Sequence, residues 1–262
     1  MIRTTGLARR RDVTQSRWLS GGRRFGDSSP LVTVIQPRGV RVHNQYGKPS
    51  CVGHAHASGL ESVLLEPVSA VGIWEGARHL MGLAGDSDVG TRGEYAIEWL
   101  ERHGWATYEP GEDERGDRED EDHRVGNTLA AAMRAHNHRG RVRARTIDTR
   151  QADARLAAQV VAALRQPRTY VVREGATTEA YQRGRFGDTV LGPEYFAGHA
   201  GGHAERIAGY DAERGAFLVQ GSWGDWTGCP LPGGGWALGC VWISRAALGV
   251  AWAIDLVRVT NV

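Results

Sequence analysis

The sequence is poor in cysteine and has almost no lysine. Three cysteines in 262 residues, Cys51, Cys229 and Cys240, are too few for a disulfide framework. Cys229 and Cys240 flank a Pro/Gly-rich segment, where they either bridge or stand as two reduced thiols; Cys51 is the odd one out in both cases. Lys48 is the single lysine, so the basic charge is almost wholly arginine, a codon bias that says little about function. A formal net charge of +2 gives no global field of the kind that draws a protein to nucleic acid. No apolar run reaches the roughly 18 residues of a membrane span. Met1 to Arg24 carries Arg3, Arg9, Arg10, Arg11, Arg17, Arg23 and Arg24 but no apolar h-region, so it does not read as a secretory signal. No phosphate-cradling G-x-x-x-x-G-K-[ST] occurs, and the glycines at 233–235 read as a turn.

What is present is ordinary in amount and uneven in arrangement. An apolar share of 41% and a charged share of 24% suit a globular chain, long enough for one large domain or two packed lobes. Residues 1–35 read as an arginine-rich tail, either simply disordered, or an arm for a partner or polyanion, or a segment of transit-peptide character, and 36–262 as the folded domain. Leu31 to Ile35 looks like a strand. Helices are expected from Cys51, with Ser50 as N-cap and Glu61 further along, and over Ser69–Leu83, Gly93–His103, Asn127–His138 and Gln151–Leu164. Gly53 and Gly59 weaken the first of these. Glu109 to Arg124 is a charge-dense run with no large apolar residue and reads as solvated. Thr169–Val172, Ala204–Tyr210, Ala216–Gln220, Val241–Ile243 and Ala253–Val259 read as short strands between glycine-rich turns. Helices first and strands later imply an α+β fold with a helical lobe at about 45–150 and a β-rich lobe at about 165–262.

Cys51 asks for a chemical explanation. A thiol reacts as thiolate, and a free cysteine near pKa 8.5 is only about 3% ionised at pH 7. A helix N-terminus is worth roughly 0.3–1 kcal/mol, which moves a thiol by about one unit at best. A nearby imidazolium is needed as well. Of ten histidines, His203 has the setting for it, opening a strand behind Gly201 and Gly202; His199 is its nearest rival. His54-x-His56 and His136-x-His138 invite a metal, but residues two apart on a helix do not share a face, and no second ligand cluster follows at a recognisable spacing. Neither a metal nor a cofactor is expected.

Two blocks resemble the signature of papain-like (C1 family) cysteine peptidases. Gln45-Tyr46-Gly47-Lys48-Pro49-Ser50-Cys51 keeps a glutamine six positions before a cysteine that opens a helix. Gly202-His203-Ala204, then Gly209-Tyr210, then Ser222-Trp223-Gly224 match the family's histidine block. Cys51 and His203 stand 152 residues apart, near the roughly 130–150 of papain and the cathepsins. Thr91 to Tyr108 is loosely similar to a further helix of the family.

The resemblance implies a two-lobe fold with its active site in the cleft between the lobes. It makes Cys51 the nucleophile, His203 the general acid–base and Gln45, with the Cys51 backbone N–H, the oxyanion hole. Trp223 would shield the histidine. The substrate implied is a protein or peptide, and the setting cytoplasmic or virion-associated. Two positions depart from the pattern. Val52 follows Cys51 where the family has tryptophan, and Gly221 stands where an asparagine orients the histidine. Gln220 is adjacent, but strand alternation sends it to the opposite face unless a bulge intervenes. Gly221→Asn is therefore expected to raise activity. The readings left open are a peptidase, a papain-like scaffold with weak or no activity, and a Cys–His amidase acting on cell-wall amides.

Overall fold

The computed structural model describes residues 31–36, 41–83, 89–108, 140–149, 155–198 and 201–260. The tail up to residue 30, the 109–124 charge run, the expected helix over Asn127–His138 with its His136-x-His138 pair, and His199 lie outside them. So does the start of the segment expected to be helical from Gln151.

The first helix, α1, runs from Cys51 to Leu64 and is buried along most of its length. Ser50 occupies the N-cap position, but its side chain makes no capping bond; its carbonyl accepts from the His54 N–H at 3.1 Å. Gly53 and Gly59 lower helix propensity and have a packing reason to be there. A Cβ at Gly53 would lie 2.4 Å from the Ala70 carbonyl oxygen, and one at Gly59 would lie 2.2 Å from the Tyr170 ring. The glycines let α1 approach α2 on one side and the sheet on the other. Gly59→Ala is expected to lower stability by about 1–3 kcal/mol in urea unfolding, because overpacking against a fixed aromatic ring outweighs the gain in propensity.

Helix α2 spans Ala70–Leu80, with the Ser69 hydroxyl accepting from the Gly72 N–H at 3.0 Å, and α3 spans Gly93–Arg102. Both are slightly shorter than their periodicity suggests. Strand β1 contracts to Val34–Ile35. The remaining elements are β2 (Arg141–Asp148), α4 (Leu156–Leu164), β3 (Thr169–Ala176), α5 (Glu179–Arg183), β4 (Val190–Leu191), β5 (Gly202–Asp211), β6 (Ala216–Gln220), β7 (Gly228–Pro230), β8 (Trp236–Leu238), β9 (Cys240–Ser244), α6 (Arg245–Gly249) and β10 (Ala253–Thr260).

The main sheet has the order β2-β10-β3-β5-β6-β9-β4, with β1 added against β5. Its pairs are antiparallel except β4 with β9. Period-two alternation divides the apolar residues between two faces. Tyr170, Val172, Ala204, Val257 and Val259 meet the helical layer of α1–α3 in one core. Val171, Ile207, Phe217, Val219, Ile254 and Leu256 meet α4, α6 and a group of aromatics in a second. This is the α+β arrangement expected, with the helical layer set against a large sheet. Strand β2 was not expected; along it Arg141, Arg143 and Arg145 alternate with Val142 and Ala144, which pack on the helical core.

The three cysteines are buried thiols, and Cys229 and Cys240 form no disulfide. Among the described residues no helix is long and apolar enough to cross a membrane.

Candidate active site

Cys51 is the first residue of α1 and is fully buried. It sits in the same apolar cluster as Ala204, the residue that follows His203. The nucleophile and base candidates therefore come from elements in direct contact, α1 and the start of β5. His203 enters β5 through Gly201, whose φ of 135° a side chain would strain, and pairs with Gly175 on β3. Its ring lies on Trp223, with centroids 4.3 Å apart and planes 20° from parallel. Trp223 thus covers one face of the imidazole.

Gln45 is buried and held at three points. Its backbone N–H donates to the Ser222 carbonyl at 2.7 Å. Its Oε1 accepts from the Ser222 hydroxyl at 2.5 Å, and its Nε2 donates to the Lys48 carbonyl at 2.5 Å. With the side-chain oxygen engaged by Ser222, the amide nitrogen is turned the other way, and an NH₂ has a second hydrogen to offer. The anchoring continues along the chain. Asn44 bridges Trp223, and the Gly224 N–H donates to the His43 carbonyl at 2.8 Å. Residues 43–45 and 222–224 run antiparallel, so the segment before the nucleophile is laced to the segment that covers the base.

Beneath this lies a buried polar network that motif reading passed over. The Glu61 carboxylate accepts from Arg41 Nε at 2.9 Å, from the Val68 N–H at 3.1 Å, and meets His43 Nε2 at 3.0 Å. His43 Nδ1 in turn lies 3.0 Å from His54 Nδ1. Burial pushes the Glu61 carboxyl up, but the His43 hydrogen bond and charge, the Val68 N–H and the Arg41 charge outweigh it, leaving the group below its ordinary value. Burial, then the charges of His43, Arg41 and His203, holds the His54 imidazole well below its own. His54 lies one helical turn beyond Cys51, on the same side of α1, and within electrostatic range of His203. His56 points elsewhere, its Nδ1 3.1 Å from the Tyr170 hydroxyl. The two helical histidines thus serve separate partners, as their spacing implies. Glu61 offered a signal in the sequence, a carboxylate on an otherwise apolar helix face; nothing near His43 did.

Gln220 is turned away from His203, onto the α1 side of the sheet. Its Oε1 accepts from the Ser58 hydroxyl at 2.8 Å and from Arg206 Nη1 at 3.1 Å. Burial draws the Arg206 guanidinium down to about 10. At Gly221 a Cβ would find ordinary contacts, 3.5 Å from Trp226 Nε1 and 3.7 Å from Glu205 Oε1.

Comparison with solved structures bears on the fold that carries these residues. Xylellain, a cysteine protease from Xylella fastidiosa, superposes with a TM-score of 0.67 over 100% of this chain and 98% of its own, at 16% identity. The fold is that of the papain-like cysteine proteases. Procathepsin B S9 from Trypanosoma congolense agrees, with a TM-score of 0.60 over 99% of this chain and 87% of that one at 12% identity. So does a Carica candamarcensis cysteine protease solved with E-64, with a TM-score of 0.54 over 85% and 93% at 19% identity. No family model matches the sequence, and no curated protein sequence does. The papain-like architecture is therefore carried here at 12–19% identity to these structures.

Proposed function

We propose that this papain-like chain is a cysteine peptidase that hydrolyses peptide or isopeptide bonds in a protein substrate. The Cys51 thiolate attacks the scissile carbonyl carbon, and the carbonyl oxygen takes up the negative charge facing Gln45 Nε2 and the Cys51 N–H. The His203 imidazolium gives its proton to the departing amine, so the C–N bond breaks and a Cys51 thioester remains. His203 then takes a proton from water, hydroxide adds to the thioester carbon, and the thiol leaves with that proton. The observation that carries this reading is the lacing of 43–45 to 222–224. It holds the glutamine of one block on the serine of the other, beside a cysteine that opens the helix packed on the histidine's strand.

Gly221 favours a second reading, the papain-like fold kept as a scaffold. Iodoacetamide alkylation separates the two, followed against pH by peptide mapping at each cysteine. For a peptidase, Cys51 is expected to react well below pH 7, and His203→Ala to abolish that acid-side reactivity. A Cys51 profile that titrates like an ordinary thiol in the parent protein would overturn the peptidase.

A further inference from the structure

The departure at 221 leaves a question about chemistry, since a general base must be held at one angle to act. The surroundings of Gly221 point to where the support comes from. Strand alternation puts Glu205, two residues after His203, on the same face of β5; the bulge of this strand lies beyond both, between Ile207 and Gly209. A carboxylate on a buried strand is costly unless its oxygens are satisfied, and both are. Arg173 of β3 reaches Oε2 at 2.5 Å, and the Tyr181 hydroxyl of α5 donates to Oε1. The guanidinium is itself laid over the Phe196 ring at 4.3 Å. Oε1 and the Trp226 indole nitrogen are the two nearest side-chain atoms to a Cβ built at 221. The volume that a side chain at 221 would enter is thus bordered by a carboxylate already fixed from the neighbouring strand. Tyr181, which holds that carboxylate, also packs on Trp223 and Trp226 at 5.9 and 5.5 Å between centroids. Trp223 is the ring on which His203 lies.

We propose that Glu205, fixed by Arg173 and Tyr181, is the positioning residue for His203, supplying from β5 the support that asparagine gives from position 221 elsewhere in this fold. The proposal rests on the peptidase reading for what His203 does, but not for where the charge stands. It explains how a buried glutamate and a glycine come to face each other across the base of the site. Asparagine added alone at 221 duplicates a support that Glu205 already gives, so the gain expected from the sequence does not follow.

The charged and titratable groups that act on this corner are Arg173 on β3 and Tyr181 on α5, both on Glu205, Cys240 on β9, which acts on Tyr181, and His54 on α1, within reach of His203; Arg206 lies on the other face with Gln220. The decisive measurement is the titration of the His203 imidazole by NMR in a Cys51→Ala background, which removes the thiolate and makes the result independent of catalysis. Glu205→Gln is expected to lower the midpoint of His203 by about one unit, a tenfold loss of proton affinity, because an anion that favours the imidazolium is gone. Should Glu205→Gln fail to fold with Arg173 left buried, Glu205→Gln with Arg173→Met removes both charges, and the same direction is expected with a smaller shift. An unchanged His203 midpoint in the folded variants overturns the proposal. Rescue provides the second arm. With Cys51 restored, Glu205→Gln is expected to slow alkylation at pH 6 about tenfold, and adding Gly221→Asn to recover most of it. Failure of asparagine to recover the rate argues against positioning and for a structural role alone. If the parent protein shows no acid-side reactivity, the peptidase reading fails instead, and the NMR result still decides whether Glu205 supports His203.

Discussion

Replacing Cys51 by alanine is expected to abolish hydrolysis, by at least about 10³-fold, while leaving the fold intact. Removing a covalent nucleophile takes away the thioester route altogether, and the oxyanion donors that remain can assist only a slow direct attack by water. The structural cost is small. Cys51 is fully buried, but losing one sulfur from the first turn of a helix is a change on the order of 1 kcal/mol. The check is release of soluble peptides from an unfolded protein, beside a thermal unfolding curve for parent and variant. Residual turnover at the parent's rate would mean that another group is the nucleophile. A variant that does not fold would be uninformative about chemistry, and Cys51→Ser then asks the same question with the volume kept.

The second large effect is expected away from the reacting atoms. Glu61→Ala removes the acceptor shared by Arg41, His43 and the Val68 N–H. Breaking a buried ion pair from one side costs about 3–5 kcal/mol, since the partners stay buried without compensation; Arg41 is partly exposed, which places the expectation at the lower end. The loss is read as a lower urea midpoint at unchanged slope. It also loosens the segment carrying Gln45, so proteolysis between 41 and 48 should quicken more than elsewhere. The same network sets a pH dependence. His54 and Glu61 both titrate below their ordinary values in the folded state, so the unfolded chain binds their protons first. Stability is fully present above about pH 6.5, begins to fall as unfolded His54 takes up its proton, and falls further below about pH 4.5 as Glu61 follows. Glu61→Ala should flatten the second part of that decline; an unaltered acid profile would show that Glu61 does not contribute to it.

The two signature blocks were legible because their chemistry forces particular residue types into a fixed order. Cys51 does open a helix, β5 does begin beside His203, and Gln220 does face away from His203 as alternation required. The rest was hidden for physical reasons. Ser50 looked like a cap, but its hydroxyl makes no capping bond. Gly53 and Gly59 argued against a helix when taken one at a time; only the approach of Trp74 and Tyr170 turns them into requirements. Glu205 and Arg206 stood as a charged pair in an apolar strand, which the sequence displays without saying that one serves each face of the sheet. His43 carried no local signal, since its partners lie eleven and eighteen residues ahead on a helix. Strand β2 escaped because arginine at every second position reads as charge until the partner strand is known.

The position of β10 bears on how this protein comes into being on the ribosome. That strand lies between β2 and β3, although it is synthesised after every other strand described. A nascent chain that has already delivered Cys51, Gln45 and His203 still has an open slot in its sheet until residues 253–260 emerge. Translation at about 5–20 residues per second leaves that slot unfilled for about 10–40 s after Cys51 is made, with the edges of β2 and β3 awaiting a partner. The sheet that holds the His203 strand is complete only once residues 253–260 have emerged.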